Sequence, residues 1–213
     1  MKKYVGFAGS LAIGLAAMAM LPDTASATVW ADPAGDFLPT YVGPHDGDLD
    51  VLSLDVKTLG TDFLVTATLA GPTGAAGTVG GFYVFGVNRG AGTAGFAAFG
   101  LNKVLFDRVI IVRNDGTGLI PGVGPLAPSA FSFVGNTVNL KIPFASLTST
   151  GFDPYHYGWN LWPRAPGTGF SAISDFAPNN ATIAAAPEPA TWALMLLGLG
   201  LAGAGLRRHR ATI

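Results

Sequence analysis

Cysteine is absent from the chain, which excludes a disulfide-stapled scaffold and any Cys-ligated zinc or iron–sulfur site. Charge is scarce: Asp, Glu, Lys and Arg make up 12% of the 213 residues, against roughly 25% in an ordinary globular domain. Glutamate occurs once, at position 188. With 12 basic against 13 acidic residues the net charge is −1, which argues against nucleic-acid binding driven by phosphate neutralisation. Residues 28–186 hold no 3.6-residue hydrophobic period sustained over a dozen positions, so neither a coiled coil nor a charged helical bundle fits. Catalytic signatures are missing too. There is no G-x-S-x-G, H-E-x-x-H, P-loop or Rossmann fingerprint. His45 and His156 both sit in turn-like sequence, and no spacing pairs two Asp residues for glycoside hydrolysis. No catalytic residue is nominated, and the expectation is a protein that is not an enzyme.

What is present divides the chain in three. Met1-Lys2-Lys3, an uncharged stretch from Tyr4 to Leu21, and Ala25-Ser26-Ala27 make a basic start, an apolar middle and a small-residue cleavage site. This is the layout of a secretory signal peptide, residues 1–27, read by the Sec translocon and cut by signal peptidase after Ala27; an N-terminal membrane anchor is the alternative. At the other end, residues 190–206 carry no charge and are followed by Arg207, Arg208 and Arg210. As a helix of about 1.5 Å rise per residue they just cross a thin bilayer core, with the basic cluster left cytoplasmic.

Pro187, Glu188 and Pro189, the apolar span and the terminal arginines occur in the order of the PEP-CTERM sorting signal, and residues 187–210 closely resemble it. The resemblance implies a Gram-negative source, transient anchoring in the inner membrane, and cleavage by an exosortase. It also implies delivery to the outer surface or extracellular matrix, in an exopolysaccharide and biofilm setting. An ordinary tail anchor is the other reading of the same span.

Between the two ends, residues 28–186 read as one all-β domain, a single sandwich of jelly-roll or immunoglobulin-like type flanked by the signal helix and the transmembrane helix. Leu52, Leu54 and Val56 alternate with Ser53, Asp55 and Lys57, and after Gly60-Thr61-Asp62 so do Phe63, Val65, Ala67 and Leu69 with their polar neighbours. Val138, Leu140 and Ile142 repeat the pattern after Gly135-Asn136; Val104–Val112 is a further strand; Phe82–Val87, apolar on both faces, belongs at the centre. Gly71–Gly81 and Gly116–Pro128 are expected as loops.

Two clusters invite chemistry. At the start of residues 28–186, Asp32, Asp36, Asp46, Asp48, Asp50 and Asp55 precede that stretch's first Lys or Arg, Lys57. Asp46-Gly47-Asp48-Leu49-Asp50 has the rhythm of a calcium loop, but Val51 and Lys57 stand where an EF-hand needs Gly and Glu. A looser structural Ca²⁺ site and solvated, backbone-capping turns both remain as readings. The second cluster, Tyr155 to Trp162, places Tyr157, Trp159 and Leu161 on one face of a strand and His156, Asn160 and Trp162 on the other. Either both tryptophans fill the core, or Trp162 lies exposed beside Asn160 and Arg164 as a platform for a sugar ring, with Trp159 and Tyr155 contributing.

The order of these features is similar to the carbohydrate-binding module 9-like, or DOMON-like, sandwich. Asp32-Pro33-Ala34-Gly35-Asp36 opens the domain, Asp48-Leu49-Asp50 leads into the first strand pair, and Ser174-Asp175-Phe176-Ala177-Pro178-Asn179 closes it. The likeness implies calcium near the early acidic loop, with Asp175 joining it, and aromatic contact with sugar. The combined expectation is an exported, non-catalytic module associated with polysaccharide; a structural or adhesive matrix protein is the alternative, and a secreted hydrolase a third.

Overall fold

The computed structural model describes residues 29–185 and 198–200. Its strands are β1 (Val29–Ala31), β2 (Val51–Leu59), β3 (Asp62–Leu69), β4 (Phe82–Asn88), β5 (Arg108–Arg113), β6 (Gly118–Ile120), β7 (Gly124–Pro125), β8 (Phe131–Val134), β9 (Thr137–Pro143), β10 (Gly158–Arg164) and β11 (Ile183–Ala184). They form two antiparallel sheets, ordered β1-β2-β3-β9-β8 and β11-β10-β4-β5-β6-β7. The fold is all-β. No helix among the described residues is long and apolar enough to cross a membrane. Gly198–Gly200 are helical, but the rest of the 190–206 span and the 1–27 signal segment lie outside the described residues.

The first hairpin follows from its sequence. Gly60, at φ +58°, takes the left-handed conformation that a two-residue turn between Leu59 and Asp62 requires. Phe63, Val65, Ala67 and Leu69 then face inward at period two. In β2 the alternation is broken by a register shift between Val51 and Ser53. The bulge turns Val51 inward together with Leu54 and Val56, and leaves Leu52 only partly covered. β8 and β9 pair across the Gly135-Asn136 turn. β4 lies between β10 and β5 and is buried on both faces, as its unbroken apolar run requires.

Two expectations are corrected. The Gly116–Pro128 stretch contains β6 and β7, because Leu119 and Ile120 find partners on β5 and β7. The strand expected over Val104–Val112 begins only at Arg108; Val104 is buried, but in a loop.

The main core lies between the sheets and includes Phe63, Tyr83, Phe85, Ile110, Tyr157 and Trp159. A second apolar layer covers the outer face of the six-stranded sheet. There Trp162 is ringed by Phe96, Phe106 and Phe176 at centroid distances of 5.2, 5.0 and 5.7 Å. Trp162 abuts Gly86 of the neighbouring strand, where any Cβ would collide with the indole. The cover comes from the loops after β4 and β10.

Candidate metal centre

One edge of the sandwich is closed by a crossing of the chain's first and last described segments. After β1, Asp32 N–H still donates to Leu52 C=O at 2.9 Å; the chain then turns through Gly35, at φ +78°, and crosses to the return segment after β10. There Leu38 N–H donates to Ser174 C=O at 2.8 Å and Val42 N–H to Ser171 C=O at 3.1 Å. The return segment is itself held to β10, since Leu161 and Ala177 exchange both backbone bonds at 2.8 Å. Asp32 and Asp36 thus arrive from one side of the crossing, Asp175 from the other, and Asp50 from the head of β2.

At the crossing, one carboxylate oxygen from each of Asp32, Asp36 and Asp175 lies within 4.8 Å of the other two. Asp175 is fully buried; its Oδ2 accepts from Val51 N–H at 3.0 Å and its Oδ1 from Phe176 N–H at 2.6 Å. The bulge at the start of β2 presents that Val51 donor. Asp36 Oδ2 accepts from the Asn179 amide at 3.0 Å, and Asp50 Oδ2 from Gly35 N–H at 2.8 Å. The remaining oxygens are different. Asp32 Oδ2, Asp36 Oδ1 and Asp50 Oδ1 are shut off from solvent and have no hydrogen-bond partner among the described residues. No cation is at hand, because the ion pairs of the described residues are Lys57–Asp55, Arg89–Asp107 and Lys141–Asp62.

The electrostatic consequence is direct. Burial, then repulsion from Asp36, raises Asp32 to about 7, with the nearby Trp30 side chain drawing it back and Asp50 adding to the rise. Burial raises Asp175 to about 8, opposed by the Val51 donor and reinforced by Asp32 and Asp36. Burial, offset by Gly35 N–H and reinforced by Asp36, also raises Asp50. The donors are all hard oxygens, suited to a hard cation and not to zinc.

Asp46 and Asp48 do not join this cluster. The D-x-D-x-D stretch splits: Asp48, 2% exposed, accepts from Thr78 N–H at 2.7 Å, the Thr78 hydroxyl at 2.6 Å, Asn114 at 3.0 Å and Tyr83 at 3.3 Å. Asp46 is exposed beside the same threonine. These neutral donors satisfy Asp48, so it needs no metal.

The exposed sugar platform expected around Trp162 is not formed. Trp159 and Asn160 are fully buried and Trp162 is 3% exposed, because the outer face of β10 carries its own apolar cover. Asn160 donates to the Pro178 and Ala181 carbonyls and so fastens the closing loop. Tyr155 is 44% exposed and edge-on to Phe144, while Arg164 lies over Phe82 and donates to Gly169 C=O at 2.7 Å. Neither stands beside an exposed tryptophan. No sequence pattern points to the groove of about 490 Å³ at another edge, lined in part by Asp62, Val123, Pro125, Ser129, Lys141 and Ser146.

Pro187-Glu188-Pro189, the uncharged span and Arg207-Arg208 lie beyond this fold, immediately after its last described strand. The chain carries a PEP-CTERM protein-sorting motif over residues 185–210. The motif marks the protein for export, membrane-associated sorting by an exosortase and delivery to the cell surface. It covers the tail alone and leaves the sandwich unassigned. No curated protein and no solved structure matches the chain.

Proposed function

We propose that residues 28–186 are the cargo of the sorting motif: a non-catalytic surface or matrix module that associates with extracellular polysaccharide. The observation that carries this reading is the PEP-CTERM motif itself, placed directly after a self-contained sandwich. The groove at the β7–β9 edge supports a glycan-binding role, because it sets Lys141, Asp62 and the hydroxyls of Ser129 and Ser146 beside Val123 and Pro125. Polar groups there would read sugar hydroxyls while the apolar wall takes the C–H faces. The pair that could pass for acid and base, Asp62 and Lys141, is an ion pair at 3.4 Å, which fits binding better than hydrolysis.

The test has two arms. Glu188→Ala should trap the unprocessed chain in the inner membrane, and normal release would overturn the sorting role of this motif. Pull-down with the host's exopolysaccharide should retain the protein and lose it in Lys141→Ala. Absence of retention would favour a second reading, an adhesive matrix protein. That reading rests on β1, an edge strand with Val29 54% and Trp30 40% exposed and able to pair with another chain.

A further inference from the structure

We infer that Asp32, Asp36 and Asp175, backed by Asp50, hold a calcium ion that fastens the first segment of the sandwich to the last. Three carboxylates, Asp32, Asp36 and Asp175, converge where two chain segments cross, and Oδ2 of Asp32, Oδ1 of Asp36 and Oδ1 of neighbouring Asp50 are withdrawn from water without a hydrogen-bond partner among the described residues. Asp50 is 5% exposed, and its Oδ2 accepts from Gly35 N–H, next to Asp36, which sets this carboxylate against the same loop. Buried polar atoms are rarely left unpaired, and three in one place mark a missing partner.

The partner must be positive, since the deficit is of charge as well as of donors. A shared proton bridges only two carboxylate oxygens at a time, whereas one ion meets the oxygens of Asp32, Asp36 and Asp175 together. Oxygens bound to one Ca²⁺ at about 2.3–2.6 Å lie at most about 5 Å apart, and the three closest oxygens here are within 4.8 Å. Magnesium demands near-octahedral geometry and keeps its waters, which fits poorly around a fully buried Asp175. Zinc and its congeners favour imidazole or thiolate, and this group contains neither.

The placement gives the ion a definite role. Asp175 belongs to the return segment paired with β10 of the six-stranded sheet, and Asp32 follows β1 of the five-stranded sheet. Bound calcium therefore joins the two sheets at an edge where no strand pairing does. Affinities of about 10⁻⁴–10⁻³ M are usual for extracellular modules, so such a site fills outside the cell and not in the cytoplasm. The clasp would close after export.

The experiment uses the full chain in mild detergent, titrated with CaCl₂, MgCl₂ or TbCl₃ and compared with EDTA. CaCl₂ at 10 mM should raise the melting temperature by about 5–10 °C over EDTA, with MgCl₂ well behind. Terbium should show luminescence on tryptophan excitation, since Trp30 stands two residues from Asp32. Asp36→Asn should weaken calcium binding at least tenfold, and Asp153→Asn, at a distant turn, should not. Asp175→Asn should abolish binding; because Asp175 also holds Val51 N–H, Asp36→Asn, at a partly exposed position, decides the matter if that variant fails to fold. An identical melting point in CaCl₂ and EDTA, or wild-type affinity in Asp36→Asn, overturns the site. Neither result bears on glycan retention, which is read separately.

Discussion

Asp107 and Asp175 are both carboxylates taken largely out of water, and the fold treats them in opposite ways. Asp107, 11% exposed, has a cation of its own: its Oδ1 accepts from Arg89 Nε at 2.9 Å and from Arg89 N–H at 3.1 Å. Its Oδ2 takes Ala91 N–H at 3.2 Å and the Thr150 hydroxyl, and Arg89 in turn donates to Thr148 C=O at 2.8 Å. Burial pushes Asp107 up, but the bonds from Thr150 and Arg89 and the guanidinium's charge together outweigh it and hold the carboxyl below its usual range. Asp175 has two backbone N–H groups and, for near neighbours, two more carboxylates. One site closes its charge balance within the chain and the other leaves it open. An open balance in a well-packed fold points to something that arrives from outside.

The largest effect should come from breaking the closed site. Arg89→Met leaves Asp107 enclosed without its cation and should cost about 3 kcal/mol in urea unfolding. The same variant should change the response to acid. Because Asp107's folded carboxyl lies below its unfolded value of about 3.9, its stabilisation is complete above that value and is lost as pH falls through the folded one. Asp107's share of the parent's stability should therefore be constant down to about pH 5 and be lost below about pH 4, on top of the gain on acidification that the raised carboxyls of Asp32 and Asp175 bring in EDTA. Arg89→Met should flatten that part of the drop, and an unchanged acid profile would show that Arg89 does not govern the carboxyl.

Much of the scaffold around both sites was legible in the sequence. Period-two alternation gives the β2–β3 hairpin around Gly60 and strand β9 after Gly135-Asn136, and the two-sided apolar run gives central β4, while β8 shows only in the pairing. Asp32 and Asp36 stand in the acidic run of the sequence and Asp175 comes only with the resemblance, while Asp46 and Asp48 of the same run turn to Thr78 instead. Successive residues of a turn point apart, and what decides where each goes is a distant donor: Thr78 and Asn114 for Asp48, Gly35 for Asp50. The sequence leaves Trp162 between core and exposed platform, and the structure takes the core reading. Its cover comes from Phe96 and Phe106, which lie in a Gly- and Ala-rich loop with no periodicity to betray that it packs. The Asp107–Arg89 pair joins positions 18 apart in chain, a relation no local pattern carries.

The smallest effect is the most discriminating, because its sign depends on the ion. Asp36→Asn keeps an amide oxygen for Asn179 to donate to, removes one negative charge, and adds an N–H₂ beside the orphaned oxygen of Asp32. In EDTA it should therefore stabilise the protein by about 1 kcal/mol, the scale of one like-charge contact in a partly hydrated setting. In 10 mM CaCl₂ the same change removes a ligand, so the variant should melt below the parent. A closed site has no such reversal: Asp107→Asn should be destabilising in either buffer, since it strips charge from a matched pair. If Asp36→Asn destabilises equally in EDTA and in CaCl₂, the cluster is a structural network like that of Asp107, its balance is closed by some other means, and the contrast between the two sites disappears.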